Sequence, residues 1–153
     1  MKNLIYIGII FTLSFSVIAE TKAQNCKKFH LYSYCMQSPG PKYKMEGQSR
    51  SNIIGLGDKL IYSVVFYGER HYQLYFCASK EFVPIHYVLR DANTNELIYD
   101  NKKDDYVETI ELNIENTSRI KIEVSVLGSE QDRETLDEYF GCLGFLMLYK
   151  KAS

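Results

Sequence analysis

Ile120-Lys121-Ile122-Glu123-Val124-Ser125-Val126 decides the fold class. β-Branched apolar residues stand at every second position, with Lys, Glu and Ser between them. Successive side chains of an extended strand point to opposite faces, so this stretch reads as a strand with one face in a core and one in water. A helical repeat of 3.6 would spread the same four residues around the axis.

The same rhythm recurs on both sides of it. In residues 59–67, Leu60, Tyr62, Val64 and Phe66 oppose Ile61, Ser63, Val65 and Tyr67. Tyr72, Leu74 and Phe76 alternate with His71, Gln73 and Tyr75, and Ile85, Tyr87 and Leu89 alternate with His86, Val88 and Arg90. Ile110, Leu112 and Ile114 flank Glu111 and Asn113, and Glu96-Leu97-Ile98-Tyr99 forms a further short strand. Residues 142–149 are apolar on both faces, as in a strand near the middle of a packed sheet. Gly68-Glu69-Arg70 and Glu115-Asn116-Thr117-Ser118 read as hairpin turns, Asp91-Ala92-Asn93-Thr94-Asn95 as a polar turn, and residues 129–139 as a long loop with one helical turn. About eight short strands joined by polar turns predict an all-β, single-domain antiparallel β-sandwich, with the Leu60 and Ile122 sets inward. Strand order stays open.

The chain starts Met1-Lys2-Asn3, and residues 4–19 are apolar apart from small hydroxyls and Gly8. This is the layout of a signal peptide, shorter than the ~20 residues a spanning helix needs. Small residues at Thr21 and Ala23 place the cleavage after Ala23, leaving residues 24–153 as one domain. A lipoprotein signal would need a small residue directly before Cys26, where Asn25 stands. Cleavage removes Lys2, Lys22 and Glu20 and leaves a net charge of −2, which offers no reason to expect nucleic acid or an anionic membrane as partner. The expected location is secreted or periplasmic.

Four cysteines in an exported chain predict a disulfide framework. The expected pairs are Cys26–Cys35, closing a local loop, and Cys77–Cys142, tying a central strand to the last one. A metal site from Cys26, His30 and Cys35 lacks a Cys-x2-Cys unit and needs reduced thiolates.

Gly57-Asp58-Lys59-Leu60, Tyr72-Gln73-Leu74-Tyr75-Phe76-Cys77-Ala78, Val88-Leu89-Arg90-Asp91, Glu96-Leu97-Ile98-Tyr99-Asp100-Asn101 and the Gly141-Cys142 strand carry a family likeness. Over residues 26–150 the chain resembles small secreted bacterial β-sandwich proteins. More distantly it is similar to the pre-peptidase C-terminal type of jelly-roll domain, a non-catalytic module appended to exported enzymes. The resemblance implies a jelly-roll-like fold and carries no site residues.

Asp91, Asn93 and Asn95 open like a calcium loop, but Glu96 stands where the sharp bend needs Gly, and Lys102 where the bidentate Glu belongs. Those side chains are expected to cap their own turn, so calcium is at most a loose loop site and no cofactor is expected. Gly47-Gln48-Ser49-Arg50-Ser51 misses the last glycine of a nucleophile elbow. His30, His71 and His86 have no partners at informative spacing, and Cys77 with His71 could mimic a thiol–imidazole dyad, but residues six apart on a strand need not lie close together. Asn116-Thr117-Ser118 matches a glycosylation acceptor. No catalytic residue is assigned.

Thirteen tyrosines, eight phenylalanines and no tryptophan leave Tyr67 and Tyr75, on wet strand faces, as the candidate binding surface. The expected function is a non-catalytic interaction module for a protein or glycan of the cell envelope. Two alternatives are a hydrolase-like envelope enzyme assembled only in three dimensions and a structural subunit of an envelope assembly.

Overall fold

The computed structural model describes residues 26–32, 35, 36, 40, 42–127 and 140–152. The signal-like segment and the whole of the predicted 129–139 loop lie outside these residues. Among them, nine strands form two antiparallel sheets. They are β1 (Lys44–Met45), β2 (Arg50–Gly55), β3 (Lys59–Phe66), β4 (Arg70–Ala78), β5 (Ile85–Asp91), β6 (Leu97–Asp100), β7 (Thr109–Ile114), β8 (Ser118–Val126) and β9 (Phe140–Lys151). The fold is the predicted all-β sandwich.

Strand order is what the sequence left open. One sheet runs β2-β9-β4-β7, with β1 alongside the far end of β9, and the other runs β3-β8-β5-β6. The pairs β2–β9, β3–β8, β4–β7 and β5–β6 are successive rungs of one antiparallel ribbon, and alternate rungs fall in opposite sheets. A ribbon wound over itself in this way is a jelly roll. The winding corrects two expected hairpins. Gly68-Glu69 carries the chain from one sheet to the other, because β3 and β4 do not pair, and the 115–117 turn does the same for β7 and β8. These two turns dock on each other. Gly68 N–H donates to Thr117 Oγ1 at 3.0 Å, Glu69 N–H donates to the Glu115 carbonyl at 3.3 Å, and a Cβ on Gly68 would come within 2.7 Å of that carbonyl oxygen.

All five alternating stripes face the core. Val64, Phe66, Tyr72, Leu74, Ile85, Tyr87, Leu89, Ile122 and Val124 are fully enclosed, while Ile110, Leu112 and Ile114 are partly buried against them. A row of rings crosses the interior. Tyr62 stacks on Phe145 at 5.6 Å, Phe145 on Phe76 at 5.3 Å, and Phe76 on Tyr87 at 4.0 Å, so both sheets contribute to one aromatic spine. Burying each such ring stabilises the fold by roughly 1.5–3 kcal/mol, with a further ~0.5–1.5 kcal/mol for favourable ring geometry.

Side-chain amides close two exposed stretches of sheet edge. Gln48 Nε2 donates to the Val65 carbonyl at 2.8 Å and Gln48 Oε1 accepts from Val65 N–H at 2.9 Å, so one side chain acts as a piece of a neighbouring strand to β3. Asn101 does this for the start of β5, where β6 does not reach. Its Oδ1 accepts from Tyr87 N–H at 2.9 Å, and its Nδ2 donates to the carbonyls of Ile85 and Val107 at 2.9 and 3.1 Å. A free edge invites pairing with another chain, and both devices blunt it.

β9 is apolar on both faces because both are covered. Leu143, Phe145 and Met147 face the core. On the outer face, Leu146 and Leu148 cluster with Tyr75 under Met36 and Tyr43 of the N-terminal segment, which forms a third layer. Its 3₁₀ turn, Phe29–Leu31, presses so closely on β9 that a Cβ on Gly144 would meet His30 Cα at 2.9 Å and Cys77 Sγ at 2.6 Å. His30 also holds Ser51 of β2, its N–H donating to Ser51 Oγ at 2.9 Å and its Nδ1 lying 2.6 Å from the same oxygen. Burial holds the His30 imidazole pKa below its ordinary value.

The disulfides are Cys26–Cys142 and Cys35–Cys77, with Cα–Cα distances of 5.2 and 5.3 Å. This corrects the expected Cys26–Cys35 and Cys77–Cys142 pairs. Cys77 and Cys142 lie on neighbouring strands and project outward in parallel, and Sγ atoms meet best when the two Cβ atoms face each other. The segment crossing above presents Cys26 and Cys35 downward, one over each strand cysteine.

Peptide mapping of the unreduced protein should recover only those two links. In the chain-entropy model, loops of 116 and 42 residues are worth about 4–5 kcal/mol each. Cys35→Ala/Cys77→Ala should therefore lower the urea-unfolding free energy by about 2–4 kcal/mol. An unchanged midpoint would show that the Cys35–Cys77 crosslink contributes nothing to stability.

The spine also predicts an alkaline response. Burial pushes the Tyr62 phenol up to about 12 from an ordinary 10.0, against the pull of Arg50. The folded chain therefore keeps a proton that the unfolded chain loses, and stability should fall as pH rises from about 10 to about 12. Urea midpoints measured across that range should fall less steeply for Tyr62→Phe than for the parent.

Candidate functional site

The residues singled out from sequence do not converge. Tyr67 is 45% exposed at the end of β3, but Tyr75 is only 7% exposed, shut beneath the N-terminal layer with its hydroxyl donating to Gln73 Oε1 at 3.2 Å. Tyr75 is thus no part of a wet platform. The reason is the third layer, which turns an outer face into an interior one. Asp91 Oδ1 accepts from the N–H groups of Asn93 and Thr94, both at 2.8 Å, and those bonds hold its carboxyl below the usual range. Asn95 Oδ1 takes the Lys121 ammonium at 3.1 Å. The three calcium-loop candidates cap and staple a turn.

The histidines lie apart. His30 belongs to the outer layer, and His71 sits on the outer face of β4 against Asn113 and, at 3.3 Å, Glu111. His86 Nε2 contacts Asp100 Oδ1 at 2.9 Å on the outer face of the other sheet, with the ring edge-on to Tyr106. Burial raises the Asp100 carboxyl, but the Lys102 N–H and His86 outweigh it and leave its pKa lowered. Cys77 is crosslinked, so it makes no thiol–imidazole pair with His71.

A denser constellation occupies the end of the sandwich where β3 turns into β4 and β9 runs out. The turn residue Glu69 adopts a left-handed φ of 58°. Its carbonyl accepts from Ala152 N–H at 2.9 Å, which draws the end of β9 alongside. Register then sets the neighbours. Arg70 pairs with Lys151 and with Ile114, Tyr72 with Tyr149, and Lys44 of β1 with Tyr149 from the other side. Residues directly opposite in a sheet share a face, so Lys44, Arg70, Tyr149 and Lys151 all rise on the core-facing side, where the core opens to solvent.

Arg70 is the centre of this group. Its guanidinium lies 4.3 Å from the Tyr149 ring centroid and 4.8 Å from that of Tyr67, and its Nη1 pairs with Glu46 Oε2 at 3.3 Å. A planar cation between two phenol faces is held by electrostatics and by stacking that an ammonium cannot reproduce. Below it, the Tyr72 hydroxyl accepts from Tyr67 N–H at 2.9 Å, which locks the floor.

Two open depressions meet at this point. One, of about 340 Å³, is lined by Lys42, Lys44, Tyr149, Lys150 and Lys151. The other, of about 320 Å³, is lined by Gly68, Glu69, Arg70, Tyr149 and Lys151. Tyr149 and Lys151 are common to both. Lys150 points to the outer face, its Nζ 4.8 Å over the Tyr43 ring. The arrangement places ammonium and guanidinium donors around the Tyr149 ring. Neither depression is lined by a histidine.

Sequence reasoning reached Tyr67 and missed the rest. Lys150-Lys151 reads as a solvated pair, and nothing local shows that Lys44, Arg70 and Tyr149, far apart in the chain, share a face. The period-two register of Tyr72 and Arg70 was the available signal. No family model matches the chain, and neither does any curated protein.

Arg70→Ala should cost about 1–2 kcal/mol in urea unfolding, through lost cation–π contact and an orphaned Glu46. Arg70→Lys should recover less than half of that, since it restores charge without the plane. Full recovery would mean that charge alone matters here.

Proposed function

We propose that this protein is a non-catalytic interaction module acting in the cell envelope, in the periplasm or at the cell surface, and that it binds a protein or glycan through the end of the sandwich built on Arg70 and Tyr149. The observation that carries the reading is the pair of adjoining depressions sharing Tyr149 and Lys151. Their volumes fall at the low end of ligand sites, and they are open, which suits recognition of a chain or surface more than enclosure of a reacting group. Two disulfides fit maturation in an oxidising compartment, in keeping with the signal-like first 23 residues. Among the described residues no helix is long and apolar enough to cross a membrane.

The mature, disulfide-bonded protein should capture a ligand saturably from envelope extract or on a glycan array, and Arg70→Ala should weaken capture at least tenfold. Silence in both assays would remove the interaction reading. Turnover of an envelope substrate that His86→Ala abolishes would put an enzyme in its place.

A further inference from the structure

We infer that two copies of this chain pair through β3, edge to edge and antiparallel, joining their four-stranded sheets into one sheet with a two-fold axis at Ile61. The inference stands apart from the ligand of the Arg70 end.

Open backbone is the first ground. Gln48 takes both the N–H and the carbonyl of Val65, and the Tyr72 hydroxyl takes both from Tyr67. Every second residue of an antiparallel strand turns both groups to the same side. Lys59, Ile61 and Ser63 therefore turn theirs away from β8 as well. Among the described residues, none hydrogen-bonds the N–H or carbonyl of these three. The chain closes its own edge at Val65 and Tyr67 and leaves it open from Lys59 to Ser63.

Register is the second ground. Two copies of β3 exchange hydrogen bonds only between outward-turned residues, and Gln48 removes Val65 from that set. Setting Ile61 against Ile61 of the second copy matches Lys59 with Ser63 at both ends. That register uses every open group and makes about six hydrogen bonds. A shift of two residues either draws in Val65 or loses a pair. The strand of the second copy begins at its Lys59, so it stops short of Gln48.

Side chains are the third ground. Ile61 is 60% exposed on the outer face, and the two-fold axis lays it against its own copy. No like charges meet, because Lys59 lies opposite Ser63 and its ammonium is already paired with Glu123 at 3.1 Å.

The other edges are guarded. On β7, Phe76 N–H donates to the Glu108 carbonyl, so Thr109, Glu111 and Asn113 turn outward. Self-pairing there in full register would set Glu111 against itself. β6 has four residues, with a register shift on its partner strand between Leu89 and Arg90. β2 meets the N-terminal layer at Ser51. The open stretch of β3 is its own complement, which selects a second copy over a foreign strand, and a two-fold contact closes at two. Antiparallel pairing sends the two Arg70 ends to opposite poles, with the Tyr67 residues roughly 40 Å apart along the strands.

The test uses the mature, disulfide-bonded protein in sedimentation velocity across micromolar concentrations. A reversible monomer–dimer equilibrium should appear. Ile61→Lys, which sets like charges across the axis, should weaken the dimer at least tenfold with an unchanged circular dichroism spectrum. Glu111→Lys, on the β7 edge, should dimerise as the parent does. Crosslinking reads the register. Cα atoms of a hydrogen-bonded pair stand about 5.5 Å apart, within disulfide reach. Ile61→Cys should therefore form an intermolecular disulfide under mild oxidation, with both native links kept in the peptide map. Ser63→Cys alone should not, but mixed with Lys59→Cys it should.

A monomer at every concentration overturns the inference, as do polymers larger than a dimer or a dimer that folded Ile61→Lys leaves intact. Crosslinking of Ser63→Cys alone as fast as Ile61→Cys overturns it through the register. Protection of the Ile61 and Ser63 amides only when envelope extract is added to a monomeric chain would give the edge to a foreign strand and end the inference. Should Ile61→Lys misfold, the cysteine pairs decide.

Discussion

A strand with two apolar faces must be covered twice, and the architecture follows from meeting that demand for β9. One face is met by the opposing sheet through Phe145 and its ring neighbours. The other would leave Leu146 and Leu148 in water, at roughly 1.5–3 kcal/mol for each side chain left exposed. The N-terminal segment removes that cost by lying across the outer face. Two crosslinks hold it, one to each of the two central strands. Gly144 leaves room beneath the turn, and His30 adds a polar anchor to Ser51. Each feature is explained by the one above it in this chain of needs.

The same winding that centres β9 assembles the end of the sandwich around Arg70 and Tyr149. Because the ribbon folds over itself, the β3–β4 turn, the end of β7 and the end of β9 arrive at one place from distant parts of the sequence. The docked turns at Gly68 and Thr117 are short and tight, so they do not rise over the opening. Arg70 can then lie flat between Tyr67 and Tyr149 instead of reaching into solvent. A site placed on strand ends is held by sheet register, which is stiffer than a loop, and its donors stay in position without a ligand to order them.

Much of the fold was legible because period-two alternation is a local signal with a global meaning. Ile120 to Val126 could only be a half-buried strand, and the Tyr72, Ile85 and Leu60 sets repeated the message. The order of strands was hidden because two tight turns that look like hairpins can serve as well to cross between sheets, and no residue in Gly68-Glu69 distinguishes the cases. Disulfide pairing failed for a related reason: short sequence separation between Cys26 and Cys35 suggests a local loop, whereas outward geometry on adjacent strands forces both to look elsewhere. Tyr75 was misread because alternation reveals only that a face differs from its opposite. It does not say whether a third layer lies on it. Asn101 was invisible inside a charged loop, since a buried amide and a solvated one look alike until their partners are known.

The Cys26–Cys142 link joins the first described residue to β9, the last described strand. Ribosomes deliver a polypeptide from its amino end, so the early half of this stitch exists long before the late half. Throughout elongation Cys26 has Cys35 as its nearest thiol and its true mate is still unmade. This link can close only once residue 142 has been made, and a chain truncated between 77 and 142 keeps only the Cys35–Cys77 link to hold its amino-terminal segment. The crosslink therefore closes only in chains extended past position 142.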